Sequence, residues 1–334
     1  MAKDAVATLF ETFTAYQRTE VLRAGIELGV FTAVAAQAAT ADDLAVRCGA
    51  APRGMRILCD TLTALGFLVK DGGRYSLVAE LQPFLDRNSP LYVGTVVNFI
   101  ASDTIVGSFR DLTNAVRRGG TTVADEGTLA PEHPIWVEFA RSMAPLAAMT
   151  GQLIATLLEA DDAPAWRVLD IAAGHGNFGI SLALRNPRAE IVALDWANVL
   201  AVAEQNAQAT GVAARFRKLP GSAFDVDFGG DYDLVLVTHF LHHFDVPTCE
   251  KLLRKVHAAL KPGGRAVTLE WVPNEDRVSP VEAATFSAVM LATTPAGDAY
   301  TGSELTAMCT NAGFTRNELH ELPVSAQRVL VSTK

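Results

Sequence analysis

An α/β fold is what this sequence predicts: a doubly wound, mainly parallel sheet of seven strands in the second half of the chain, preceded by a mainly helical domain. Three observations predict it. From residue 165 onward, short apolar runs alternate with helical stretches, the pattern of a parallel sheet with helices on both faces. A glycine turn, Gly174-His175-Gly176-Asn177-Phe178-Gly179, joins the first of those runs to a helix. Residues 5–36 instead place apolar side chains at helical spacing. With 334 residues, 49% of them hydrophobic, the chain is long enough for two domains with cores of their own.

In residues 5–36 the apolar positions are Val6, Leu9, Phe10 and Phe13, then Val21, Leu22, Ile26 and Leu28; Gly25 and Gly29 break the run. Thr40 caps a short helix whose first turn carries Asp42 and Asp43, where carboxylates meet the positive helix end. A second helix has Ile57, Leu58, Thr61, Leu62 and Leu65 on one face and stops at Gly66. Phe67 to Val78 then reads as a hairpin about Asp71-Gly72. Helix, helix and hairpin make a winged helix, a motif that often grips DNA. Here Arg47, Arg53, Arg56, Lys70, Arg74 and Arg87 are balanced by Asp42, Asp43, Asp60, Asp71, Glu80 and Asp86, inside a chain of net charge −9. Phosphate binding needs a basic footprint, so a nucleic-acid partner is not expected.

Residues 91–117 and 132–159 read as longer helices joined by the Gly/Thr-rich segment Gly119 to Thr128. The second carries Trp136, Phe139, Met143, Met149 and Leu153 at helical spacing, a stripe that serves either as core or as the wall of a ligand pocket. Asp161-Asp162-Ala163-Pro164 is polar and ends in proline, a domain boundary. The chain therefore divides into a winged helix, 1–90, a helical linker with covering helices, 91–163, and a sheet domain, 164–334. The strand candidates of that sheet are 167–171, 190–195, 214–218, 231–238 and 265–270, with helices after the first, second and fourth; the cationic stretch 214–218 carries the poorest signal. Thr301-Gly302-Ser303-Glu304 resembles a capping box and Asn311-Ala312-Gly313 a helix stop, after which strands at 317–322 and 327–332 close the chain.

The first strand and its turn, Val168 to Gly179, carry the chemistry. Gly174 and Gly176 let backbone approach a ligand, and the helix start beyond them presents free N–H groups. The spacing Gly174, Gly176, Gly179 satisfies a dinucleotide pattern that is weak by itself. Asp170, inside the strand, argues against a pyrophosphate there, because a helix N-terminus that binds anions does not welcome a carboxylate. A ligand with an ammonium and a sulfonium does welcome it. The second strand ends in Asp195, placed to take both hydroxyls of a ribose. Two acid-tipped strands flanking a glycine turn point to S-adenosylmethionine rather than NAD.

Leu169-Asp-Ile-Ala-Ala-Gly-His-Gly176 resembles the first motif of class I S-adenosylmethionine-dependent methyltransferases, and Leu260-Lys-Pro-Gly-Gly264 their later turn. Nearly the whole chain resembles the small-molecule O-methyltransferases with an N-terminal winged-helix dimerisation domain, a group that includes plant phenolic, hydroxyindole and bacterial secondary-metabolite enzymes. The resemblance implies a Rossmann-like sheet whose last strand inserts antiparallel, a homodimer formed through the winged helix, and a helix at 132–159 that closes over the acceptor. It aligns His242, in His239-Phe-Leu-His-His-Phe244, with a general base, and gives Glu270 the role of holding its tautomer. It places Gly221-Ser222-Ala223-Phe224 on the adenine, with Ser222 where an acid is usual. A second acid expected just before Thr301 is replaced by Ala299 and Tyr300.

The cofactor residues expected are thus Asp170, Gly174, Gly176, Asp195, Trp196, Ser222, Ala223, Phe224 and His239. Trp196 either covers the ribose or adenine face or packs under a loop, and His239 faces cofactor or acceptor. His243 is the structural histidine of the segment. Phe139, Met143, Trp271 and Met290 would make an apolar, flat acceptor pocket suited to an aromatic ring; Met290 and its neighbours in Phe286-Ser-Ala-Val-Met-Leu291 read as core, and only the resemblance moves them toward the site. Transfer from a sulfonium is an in-line displacement with an activated donor, so the protein must align the acceptor and, for some acceptors, remove a proton. A phenol near pKa ~10 facing an imidazole near ~6.5 is uphill by about 5 kcal/mol, so a phenol needs a positioned base where a carboxylate needs none.

The reading is an S-adenosylmethionine-dependent, metal-independent O-methyltransferase of a small aromatic acceptor, releasing S-adenosylhomocysteine. N-, C- or carboxyl-methylation on the same fold is the nearest alternative. A non-catalytic sensor of S-adenosylmethionine or a metabolite, and an NAD oxidoreductase, stand further off. Cys48, Cys59, Cys249 and Cys309 are scattered without metal-ligand spacing. No apolar run reaches membrane length and Met1-Ala-Lys-Asp4 opens without a signal core, so a cytoplasmic protein without a membrane partner is expected.

Overall fold

The computed structural model describes residues 4–123, 127–323 and 325–334. Residues 124–126, part of the Gly/Thr-rich connection, lie outside the described residues. The chain divides into two units, Met1–Ser102 and Asp103–Lys334. No helix among the described residues is long and apolar enough to cross a membrane.

In the first unit the helical stretch 5–36 is three helices, α1 (Ala5–Phe13), α2 (Ala15–Glu27) and α3 (Val30–Ala36). Gly29, at φ 72°, makes the left-handed turn between the last two, a conformation that costs glycine nothing. After the short strand β1 (Ala39–Thr40) comes α4 (Ala41–Arg47), opened by a full capping box in which Thr40 Oγ1 accepts from Asp43 N and Asp43 accepts from Thr40 N. Then follow α5 (Pro52–Ala64) and the antiparallel hairpin β2 (Leu68–Asp71) and β3 (Arg74–Leu77). Gly72 and Gly73 both have positive φ, as a two-residue hairpin turn requires. Strand β1 pairs with β3, so the wing has three strands. The unit's core is built on Val30, Phe31, Leu44, Met55, Leu62 and Tyr75. Short helices α6 (Gln82–Leu85) and α7 (Val96–Ile100) follow.

The long helix expected over 91–117 is broken: α7 ends, and the second unit begins with α8 (Asp103–Arg110) and α9 (Leu112–Arg118). Asp103 and Asp111 stand where the new helices start, because short polar side chains compete with the helix backbone and favour helix ends. α10 (Ile135–Leu157) is the long helix expected at 132–159.

The remaining elements form the sheet and its layers. They are β4 (Arg167–Ile171), α11 (Asn177–Arg185), β5 (Glu190–Asp195), α12 (Ala197–Ala209), β6 (Phe216–Pro220), β7 (Tyr232–Thr238), α13 (Val246–Ala259) and β8 (Leu260–Trp271). After them come α14 (Val281–Thr293), α15 (Gly302–Asn311), β9 (Arg316–Glu321) and β10 (Gln327–Thr333). The strand order is β6-β5-β4-β7-β8-β10-β9, parallel from β6 to β8, with β10 antiparallel between β8 and β9. The order reverses between β4 and β7, the crevice where open α/β sheets bind ligands.

β6 starts two residues later than expected. Arg215 belongs to the turn before it, where its guanidinium donates to the carbonyls of Ala183 and Ala189 at 2.8 Å near the end of α11. The cation that weakened the strand signal is a helix cap. Both faces of the sheet are dry: Leu169, Val235 and Val237 pack toward α13 and α15, and Val168, Leu234 and Leu236 toward α10 and α11. α14 spreads its apolar residues all round, among Glu282, Thr285 and Ser287, and so offered no amphipathic pattern to read.

Candidate active site

The carboxyl ends of β4 and β5 bring two acids to one glycine turn. Asp170 is fully buried; Oδ2 accepts from Gly179 N at 3.1 Å, while Oδ1 has no partner among the described residues. Burial raises its pKa to about 7, with the Asp195 charge adding to the rise and the Gly179 amide opposing it. Asp195 Oδ2 accepts from Gly174 N at 2.8 Å and Oδ1 from Trp196 N at 2.7 Å. Burial lifts this carboxyl too, to about 6, against those two amides. Gly174 and Gly176 hold φ of 56° and 74°, which a side chain would strain. A Cβ on Gly179 would lie 2.7 Å from Ile191 Cγ2 and 3.0 Å from Asp170 Oδ2, so this third glycine sets how closely α11 packs on the sheet.

The sequence reading assigned nothing to His175, between those glycines. It is buried, its Nδ1 accepts from Asn177 N at 3.1 Å, and its ring stacks on Phe139 at 6.1 Å. Phe139 also reaches within 3.7 Å of where a Gly174 Cβ would stand, so α10 does run over the glycine turn. Met143 lies one turn further along α10, half-buried.

The second half of the site stands on β7 and β8. Beyond Thr238, His239 takes a left-handed φ of 53°, and Leu241–His243 form a single tight turn. Glu270, buried in the neighbouring strand, accepts from Phe240 N at 3.0 Å and Leu241 N at 2.9 Å through Oε1, and from His242 Nδ1 through Oε2. With Glu270 ionised, that contact places the proton on Nδ1 and leaves the Nε2 lone pair to act. Burial pulls the His242 imidazole well below its ordinary range and pushes Glu270 up, so a neutral ring is the resting form. The ring meets the edge of Phe286 at 4.9 Å and His243 at 4.3 Å, with His239 at 6.1 Å. His243 is buried against Trp136, 5.3 Å away, and its Nδ1 has no partner among the described residues.

His239, His242 and Glu270 bring donor atoms within 4.8 Å of one another, a set a metal ion could use. Both Glu270 oxygens are already taken by N–H groups, however, which suits the set to handling a proton.

The other expected residues fall as follows. Gly221 N donates to Asp195 O at 3.0 Å, which holds the next loop beside the second acid. In that loop Ser222 Oγ accepts from Phe224 N at 3.1 Å, Ala223 is buried, and the Phe224 ring packs on Phe240 and Phe244. Trp196 packs with Trp136 and Val137 against Ala140, Val199 and Val202. Met290 is buried on α14, one turn from Phe286. Trp271 stacks on Phe286 at 5.6 Å and lines a cavity of about 750 Å³ with Asn274, Pro280 and Arg328, whose walls do not include His242, Phe139 or Met143. Ala299 is fully buried and the Tyr300 hydroxyl donates to Phe244 O, so neither places a polar group on His242.

This geometry can be set beside known proteins. The O-methyltransferase domain profile matches residues 131–315, and the O-methyltransferase dimerisation domain profile matches residues 10–79. The 3-hydroxy-5-methyl-1-naphthoate 3-O-methyltransferase of Streptomyces sahachiroi is 31% identical over 313 residues, 91% of this chain and 88% of that one. The chain belongs to the O-methyltransferase family.

As an O-methyltransferase it uses S-adenosylmethionine as methyl donor. A solved structure from Nostoc punctiforme, assigned to the O-methyltransferases, matches this enzyme with TM-score 0.94 and 50% identity over 99% of this chain and 100% of that one. Human N-acetylserotonin methyltransferase in complex with S-adenosylmethionine shares the fold, with TM-score 0.86 and 21% identity over 100% and 99% of the two chains. The enzyme's own residues fit that donor. A buried carboxylate oxygen on Asp170 lacks a partner among the described residues, which is costly unless a ligand cation or donor meets it.

Proposed function

We propose that this methyltransferase acts on the hydroxyl of a small aromatic acceptor, with His242 as general base and Glu270 as the group that orients it. The observation that carries this reading is the Glu270–His242 contact, which leaves Nε2 free at the same sheet edge as Asp170 and Asp195. Bound S-adenosylmethionine supplies a methyl group already activated by its sulfonium. Asp195 takes the ribose hydroxyls, Asp170 and the Gly174 and Gly176 turn hold the amino-acid end, and His239 and the Ser222–Phe224 loop complete the cofactor side. Trp196 closes this side from α12.

On the acceptor side, Phe139, Met143, Trp271 and Met290 form the apolar wall, and Phe286 belongs with them by its contacts to His242 and Trp271. As the acceptor oxygen gains its methyl group, Nε2 takes the proton, and Glu270 balances the imidazolium from behind. The aromatic acceptor is supported by the naphthoate named for the Streptomyces relative.

A second copy of the chain is the proposed partner of the first unit. α1 buries none of its residues and exposes Val6, Leu9, Phe10 and Phe13, an apolar face in a segment that overlaps the dimerisation domain match. Free thiols at Cys48, Cys59, Cys249 and Cys309 support a cytoplasmic setting, and the balanced charge of the wing argues against nucleic acid.

The test is His242→Ala. Turnover of an aromatic hydroxyl acceptor is expected to fall about 10²-fold or more, with S-adenosylhomocysteine affinity unchanged by calorimetry. Unaltered turnover would remove His242 from the mechanism, and preferred methylation of an amine or carboxylate would replace the acceptor class.

A further inference from the structure

We propose that the hydroxyl this enzyme methylates is an acidic one, an aromatic or enolic oxygen conjugated to a carbonyl group, rather than that of a simple phenol. The inference rests on the reading of His242 as proton acceptor, and three features of its surroundings carry it.

One carboxylate stands behind the base, and it is already committed. Glu270 gives Oε1 to the amides of Phe240 and Leu241 and Oε2 to His242 Nδ1. Three N–H donors drain charge from the carboxylate, so it aligns the ring more than it strengthens the base.

Among the described residues, the hydrogen bonds and the ion pair that hold His242 and Glu270 involve Phe240, Leu241 and each other, and no lysine or arginine. The base is faced by the Phe286 edge and by imidazole rings. Its own desolvation lowers its proton affinity further.

Position 297, packed on the backbone of the turn, cannot carry a side chain that would add a charge there. A Cβ on Gly297 would come 2.2 Å from His242 O and 3.0 Å from the His243 carbonyl carbon. Asp298 turns away toward Arg277 at 3.4 Å, and the Tyr300 hydroxyl is spent on Phe244 O.

Such a base is mismatched to a simple phenol by about 5 kcal/mol before burial adds to the gap. Conjugation with a carbonyl spreads the oxyanion charge and closes most of it. The step balances simply. The acceptor O–H bond breaks with its proton going to Nε2, and the oxygen forms the O–C bond as the donor C–S bond breaks, leaving the electron pair on sulfur. The proton passes to water after product leaves.

The test compares acceptors matched in shape: 4-hydroxyacetophenone with 4-ethylphenol, and 6-acetyl-2-naphthol with 6-ethyl-2-naphthol. The full chain is used with saturating S-adenosylmethionine near neutral pH, and kcat/KM is read from product mass. The ketone of each pair is expected to be faster by about 10-fold or more, and His242→Ala is expected to cost the ketone at least about 10-fold less than its ethyl partner. Equal rates within both pairs, or faster ethyl compounds, overturn the inference and leave the hydroxyl reading intact. Methylation of 4-ethylaniline with no transfer to any of the four hydroxyls overturns both.

Discussion

The Gly174 amide donates to Asp195 Oδ2 at 2.8 Å, so the glycine turn after β4 and the acid at the end of β5 are one unit. The carboxylate fixes the turn, and on the proposed reading its remaining lone pairs meet the ribose. Asp195→Asn is expected to weaken S-adenosylhomocysteine binding by about 10-fold or more, measured by calorimetry, through loss of charge and a misdirected amide. Unchanged affinity would detach Asp195 from the cofactor.

Asp170 sets stability against function. Its folded pKa of about 7 lies above the ordinary 3.8, so the unfolded chain ionises it more readily. Its contribution to stability is fully present below about 3.8 and is lost as pH rises through about 7. Without cofactor, wild-type stability in urea is expected to decline across that window more than that of Asp170→Asn, which gains about 1 kcal/mol or more at pH 8. The same variant is expected to bind S-adenosylhomocysteine at least about 10-fold more weakly. Parallel pH profiles for the two proteins would contradict the account.

Cofactor affinity carries the opposite sign. A cationic ligand prefers both carboxylates ionised, and Asp170 and Asp195 titrate near 7 and 6. Binding is expected to tighten as pH rises from about 5.5 to 7.5, with proton release visible as buffer-dependent heat. A flat profile would mean that neither acid meets the ligand's charge.

Glu270→Gln keeps the shape and removes the charge that pairs with an imidazolium. Turnover is expected to fall about 10- to 100-fold with little change in KM for S-adenosylmethionine or in melting temperature. A loss confined to melting temperature would make Glu270 structural.

The α1 face gives a test of assembly. Phe10→Asp with Phe13→Asp places two charges on exposed apolar positions. Light scattering is expected to show a shift from dimer toward monomer, with the helical signal retained. An unchanged dimer would assign the interface elsewhere.

Much of the site was legible because its chemistry is local. Asp170, the glycines and Asp195 lie at strand ends whose positions follow from short apolar runs, and Thr40 and Thr301 announce their helices through neighbours three residues away. Other parts were not. His175 reads as a turn residue until Phe139, from α10, is seen against it. Phe286 belongs to a helix with apolar residues all round, where nothing in the spacing separates the ring touching His242 from those filling the core. Arg215 looks like a poor strand residue because its carbonyl partners lie 26 to 32 positions away.

From the sequence alone came the alternation that makes a parallel sheet, the acid-glycine-acid cradle, and the pairing of His242 with a carboxylate on the following strand. The first two depend on residue type and near-neighbour spacing; the pairing, across 28 positions, was what the family resemblance implied. Only the tertiary structure decided that Asp170 keeps one oxygen without a partner among the described residues, that Glu270 is shared among three donors, and that Trp271 stacks on Phe286 while lining a cavity of its own. Those outcomes turn on strand register and side-chain direction, set by packing between elements far apart in the chain.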